Sequence, residues 1–124
     1  MDFRLGTAIR DHLNTAGLYN YVDIISIAGA AKDIAQEDGS YAEGQVDLSH
    51  RLHETETVLL MNHTDCGGYG GRGAFDSDEA ERAQHESDLR SAKAKLVAKH
   101  EGLEVKMALA VIGADGNVSI ETIE

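Results

Sequence analysis

The stretch TVLLMNHTDCGGYGG, residues 57–71, decides how this chain is read. It opens on a β-prone apolar run, TVLLMN, which predicts a buried strand over 57–62. The run passes directly into His63, Thr64, Asp65 and Cys66, and four of the next five residues are glycine. Continuous apolar character, rather than alternation, fits a strand covered on both faces. In such sheets ligands collect beyond the carboxyl ends of the strands, and His63 and Cys66 fall there. Imidazole and thiolate both suit zinc. Two donors do not make a zinc site, so spacing alone leaves open a buried cysteine acting as a small hydrophobe beside a capped histidine.

Working outward, Leu5, Ala8, Ile9, His12, Leu13 and Ala16 recur at helical spacing and predict a helix over 4–16, with Gly17 as its stop. YVDIISIAG (21–29) is a β-branched run that predicts a buried strand. AAKDIAQED predicts a short helix, GSYAEG (39–44) a loop, and VDLSHRLHETE (46–56) another helix. GGYGGRGAFDSD (67–78) predicts a glycine-rich loop. Ser77 or Asp78 caps a long helix to about His100, with Glu79 and Glu81 in its first turn and Gly102 as its stop. EVKMALAVIG (104–113) predicts a third strand, ADGN a turn, and VSIETIE (118–124) a last strand returning as a hairpin. Strands alternating with helices predict a single α/β domain over 1–124, with a mostly parallel sheet flanked by helices.

The 124 residues suit one domain, and 42% hydrophobic content is enough for one core. The formal charge of -11 repels a phosphate backbone, and two Phe, four Tyr and no Trp leave no base-stacking platform, so nucleic acid is not an expected partner. No run of apolar residues is long enough to span a membrane, and MDFRLGTAIR lacks the pattern of a signal peptide. A single cysteine excludes an internal disulfide and fits a reducing cytoplasm.

Other motifs carry less. GGYGGRG could cradle a phosphate, but it lacks the lysine and Ser/Thr of a P-loop; a flexible loop permitting close backbone approach is favoured. His50 and His53 stand three apart on a helix and could share a metal, but a solvated or half-buried face is the favoured reading. His85, His100 and the charges of 79–101 read as an ordinary wet helix face.

NHTDCGGYGG resembles the His-x-x-Cys-Gly signature of β-class carbonic anhydrases. DIISIAGAAKDIA resembles that family's strand ending in Ala-Gly and leading into a helix. ESDLRSAKAKLVAKHEGLEVKMALAVIGADGNVSI resembles the helix, strand and hairpin that close its smaller members. The likeness covers nearly the whole chain. The family's other signature, Cys-x-Asp-x-Arg, ends its first strand. Here the chain opens MDFR, so Asp2 and Arg4 match the Asp and Arg, and the matching cysteine would stand immediately before Met1. The resemblance thus implies an N-terminally incomplete member, through natural truncation, a misplaced start or fragmentation. It also implies that the missing first strand belongs between 21–28 and 57–62.

The resemblance implies zinc as cofactor, with His63 and Cys66 as ligands beside the absent thiolate. Asp2 would orient the nucleophile or become a metal ligand itself, and Arg4 would hold Asp2 off the metal through a charge-assisted pair. It implies carbon dioxide and bicarbonate as substrate and product, and a homodimer or higher homo-oligomer. The alternative is a non-catalytic, metal-poor relative acting as an oligomeric or binding module. A cysteine nucleophile with His63 as base is a third reading, and no orienting third group is visible for it.

Overall fold

The computed structural model describes all residues 1–124. Three strands, β1 (Thr57–His63), β2 (Glu104–Ile112) and β3 (Val118–Ile123), form one sheet in that order. β1 and β2 pair in parallel, Thr57 opposite Glu104 through His63 opposite Ala110. β2 and β3 pair antiparallel, Met107 opposite Ile123 through Ile112 opposite Val118. The single α/β domain is therefore as expected, with a mixed sheet in which only one of the two pairings is parallel.

β2 explains the layering. Val105, Met107 and Leu109 point to one face and join a core with Leu60, Leu89, Ala92 and Leu96. Ala110 and Ile112 meet Leu5 and Ile9 on the other face. A strand buried on both sides reads as a continuous apolar run, which EVKMALAVI does. The first face is covered by α2 (Ala31–Gln36), α3 (Tyr41–His53) and α4 (Asp78–Lys99). The second is covered by a 3₁₀ turn (Phe3–Leu5) and α1 (Gly6–Thr15). No helix is long and apolar enough to cross a membrane.

Two segments depart from expectation. YVDIISIAG is not a strand. None of the backbone groups of residues 22–26 makes a hydrogen bond to another backbone group. A strand exists only through its ladder, and here the ladder is missing. Between this segment and the open edge of β1 lies a cavity of about 530 Å³, walled by Ile24, Ile25, Val58, Leu60 and Leu13. The second departure is α3, which begins at Tyr41 inside the stretch expected to be a loop. Ser40 Oγ accepts from Glu43 N at 3.4 Å and Glu43 Oε2 from Gly39 N at 2.9 Å. This is a near relative of the capping box, and Ser-x-x-Glu was its legible signal.

α4 starts as expected, with Ser77 Oγ accepting from Ala80 N at 3.1 Å. Its face is not uniformly wet, however. Glu81, His85 and Asp88 are buried along with Leu89, Ala92 and Leu96. These positions share one helical stripe, so three polar residues ride into the interior on the apolar face.

Candidate metal centre

β1 delivers His63 to the carboxyl end of the sheet, where the chain turns sharply. Thr64 pins the turn to β2: its N–H donates to Ala110 O at 3.0 Å, and its Oγ1 accepts from Ile112 N at 2.9 Å. Asp65 follows in the left-handed region, φ 55°, and brings Cys66 back toward His63. Asp65 is then held by two arginines. Arg4 Nη1 donates to Oδ2 at 2.8 Å and Nη2 to the carbonyl at 3.0 Å, while Arg72 N donates to Oδ1 at 2.9 Å.

His63 is buried, and its Nδ1 lies 2.8 Å from Thr64 O. A carbonyl only accepts, so Nδ1 carries the proton and the lone pair of the neutral ring is on Nε2. That Nε2 is fully buried and has no hydrogen-bond partner. Burial pushes the imidazole pKa down, but the Cys66 sulfur, the Thr64 carbonyl and the Asp2 charge outweigh it and leave it raised. Burial pushes the Cys66 thiol up; the neighbouring His63 and the amides of Gly68 and Gly29 bring it down to about 7. Each side chain thus favours the charged form of the other.

Asp2 and Arg4 reach the same place from the 3₁₀ turn. Arg4 Nη2 donates to Asp2 Oδ2 at 2.7 Å and Nε to Oδ1 at 2.9 Å, and Arg4 N also donates to Oδ1 at 2.9 Å. This holds the Asp2 carboxyl well below the usual carboxylate range. Asp2 Oδ2 lies 3.9 Å from His63 Nε2. The four expected site residues are therefore brought together.

The donor set fits a metal in part. His63 offers a buried lone pair in the right tautomer, and Cys66 a thiol that ionises near neutrality. Both oxygens of Asp2 are taken by Arg4. No group of three or more His, Cys, Asp or Glu is arranged to hold a metal ion. This chain thus supplies two donors where a catalytic zinc site uses three. His50 and His53 are not a pair, for His50 Nδ1 donates to Thr55 O at 2.8 Å and His53 Nδ1 meets Asp23 at 2.6 Å.

Sequence reasoning missed a polar shell behind the turn. Asn62 Oδ1 accepts from Ala31 N at 3.1 Å, and its Nδ2 donates to Tyr69 OH at 3.0 Å and to His85 Nδ1 at 3.3 Å. Tyr69 OH donates to Asp88 Oδ2 at 2.7 Å. Burial drives the His85 pKa down, which suits this acceptor role. Lys32 Nζ donates to Gly68 O at 2.8 Å and sits over the Tyr69 ring, 5.0 Å from its centroid. The signal was the helical stripe through 81, 85 and 88.

The α/β domain thus carries a paired imidazole and thiol at the carboxyl end of β1, beside an arginine-held aspartate. The family described as "Putative carbonic anhydrase" matches residues 1–122, and the chain belongs to it. A protein of Rickettsia bellii (strain RML369-C), named "Uncharacterized protein", is 24% identical over 123 residues, covering 94% of this chain and 74% of its own length. No solved structure matches the chain.

Proposed function

We propose that the protein is a β-class carbonic anhydrase, hydrating carbon dioxide reversibly to bicarbonate with zinc in the cytoplasm. The observation that carries this is the buried, unpartnered His63 Nε2 facing Cys66 at the end of β1. Zinc, when bound, supplies Lewis acidity and a water-derived nucleophile near neutral pH. His63 Nε2 and Cys66 Sγ would hold it. Arg4 keeps Asp2 ionised and fixes its Oδ2 beside His63, where a carboxylate can accept a hydrogen bond and so orient the donor. Leu5, Ile9 and Met61 line the same cavity as His63 and Cys66, an apolar approach suited to an uncharged substrate.

The third donor in this proposal is a cysteine thiolate immediately before Met1, carried on a strand that fills the cavity beside β1. One feature supports that placement. β1 pairs only with β2, leaving its other edge open. Open backbone groups in an apolar slot cost on the order of 1–3 kcal/mol each if left dry, and a strand there would satisfy both walls. Homo-oligomerisation belongs to the same reading, supported by the exposed apolar side chains of Phe3, Tyr41 and Leu52, which lie off the cavity.

The test compares residues 1–124 with a form carrying a cysteine directly before Met1. The longer form should bind about one zinc per chain and hydrate carbon dioxide; residues 1–124 should bind less. A longer form that stays metal-free and inactive ends the enzyme reading. Hydration that survives His63→Ala ends the site assignment. The two-donor set of residues 1–124 favours a second reading, a non-catalytic relative serving as an oligomeric or binding module. It predicts no zinc in either form and a stable oligomer by sedimentation.

A further inference from the structure

Glu81 lies on the first turn of α4, 1% exposed, yet it is a carboxylate. Burying such a group is costly unless polar partners compensate for the lost water. One donor reaches it directly, and two further nitrogens stand near it. Asp65 N donates to Oε1 at 2.6 Å. His85 Nε2 stands 3.7 Å from Oε1, and Arg72 Nε 3.6 Å from Oε2. At those separations neither nitrogen makes a hydrogen bond to Glu81, and both are buried without any hydrogen-bond partner. His85 accepts from Asn62 through Nδ1, so its proton is on Nε2, the atom nearest Glu81.

The Asp65 N–H is the one handle of that residue not gripped by an arginine-bearing segment. Its carbonyl and both carboxylate oxygens are held by Arg4 and Arg72. A non-glycine residue at φ 55° is held against its intrinsic preference. It persists only where its surroundings fix it.

We propose that Glu81 is the positioning residue of the His63–Cys66 pair: by accepting the Asp65 N–H it fixes the left-handed turn that sets the Cys66 thiol beside His63 Nε2. Arg72 adds its charge at ion-pair distance and His85 faces the same carboxylate with its Nε2, neither through a hydrogen bond. The purpose of the pair rests on the proposed function above, whereas the positioning itself does not. The competing account is packing alone, with an acid tolerated near a helix N-terminus.

The test uses the metal-free chain of residues 1–124, so it is independent of zinc content and of hydration. Glu81→Gln keeps length and an acceptor oxygen; Glu81→Met keeps length and has none. NMR follows the Asp65 amide proton and its exchange, together with the Cys66 Cβ and His63 ring nitrogen shifts. In Glu81→Gln the Asp65 amide should stay protected, its proton moving upfield as the charge-assisted bond becomes neutral, and His63 and Cys66 should keep wild-type shifts. In Glu81→Met, Asp65 exchange should accelerate by about tenfold or more, and both site residues should shift. A folded Glu81→Met with wild-type Asp65 exchange and site shifts overturns the proposal. Where Glu81→Met does not fold, Glu81→Gln decides: an unmoved Asp65 amide proton shows that Glu81 is not its acceptor and overturns it equally.

Discussion

Arg4 grips Asp2 by both carboxylate oxygens, Nη2 to Oδ2 at 2.7 Å and Nε to Oδ1 at 2.9 Å, and leaves Nη1 for Asp65 at 2.8 Å. One guanidinium thus joins the N-terminal turn to the turn that carries Cys66. Its planar fork can do this; the single ammonium of lysine cannot.

Arg4→Ala should therefore loosen both turns. About 1–3 kcal/mol is expected for a charged hydrogen-bonded pair, toward the lower end because Arg4 is about a third exposed. The sign of the pH dependence follows from Asp2. Its folded pKa is depressed, so the pair's contribution is complete above the ordinary carboxylate pKa near 4 and fades as pH falls through the lower folded value. Urea titrations at pH 7 should separate wild type from Arg4→Ala, and the gap should narrow progressively in acid. Arg4→Lys should fall between them. A gap that widens toward acid would contradict the assignment.

The Cys66 thiol should ionise near pH 7 in the metal-free protein, since His63 and two backbone amides outweigh its burial. Its Cβ chemical shift followed against pH gives the midpoint. In His63→Ala burial no longer meets the imidazole's opposing influence, and the midpoint should rise measurably. An unchanged midpoint would show that the two side chains do not interact.

Much of this was legible, and the illegible parts have physical causes. β1, β2 and β3 read correctly because their apolar runs are bounded by turn residues, and α4 because Ser77 caps it. The run 21–29 has strand composition, but composition cannot reveal whether a ladder partner is present, and here none is. His63 and Cys66 announced themselves by chemistry and spacing. Glu81 did not, because its burial depends on Asp65, which is 16 residues away in sequence and reaches it only through the fold. An acid in a helix's first turn looks solvated until its neighbours on the stripe, His85 and Leu89, are counted.

Gly68→Ala should be costly for a steric reason. A Cβ at Gly68 would stand 2.6 Å from Gly29 N and 2.9 Å from Gly29 Cα, both rigid backbone. The loops must separate, at about 1–3 kcal/mol as in other overpacked sites. The Gly68 and Gly29 amides also favour the Cys66 thiolate, so the Cys66 midpoint should rise in the same variant. Gly73→Ala meets nothing within 4 Å and should stay within about 0.5 kcal/mol of wild type. Denaturation midpoints of the two variants, measured side by side, check the contrast.

Asn62 and Tyr69 should differ in what they disturb. Asn62→Leu removes the acceptor for Ala31 N and the donor to Tyr69 OH and His85 Nδ1. Buried groups left unpaired cost about 1–3 kcal/mol each, so a loss of about 3 kcal/mol is expected, together with fraying of α2 at Ala31. Tyr69→Phe takes the hydroxyl donor from the buried Asp88 carboxylate and nothing from α2. It should cost about 1–3 kcal/mol and leave α2 protected. Hydrogen exchange at the start of α2 separates the two: faster in Asn62→Leu, unchanged in Tyr69→Phe. Equal exchange in both would mean that α2 is held by its packing against α4 and not by the Asn62 side chain.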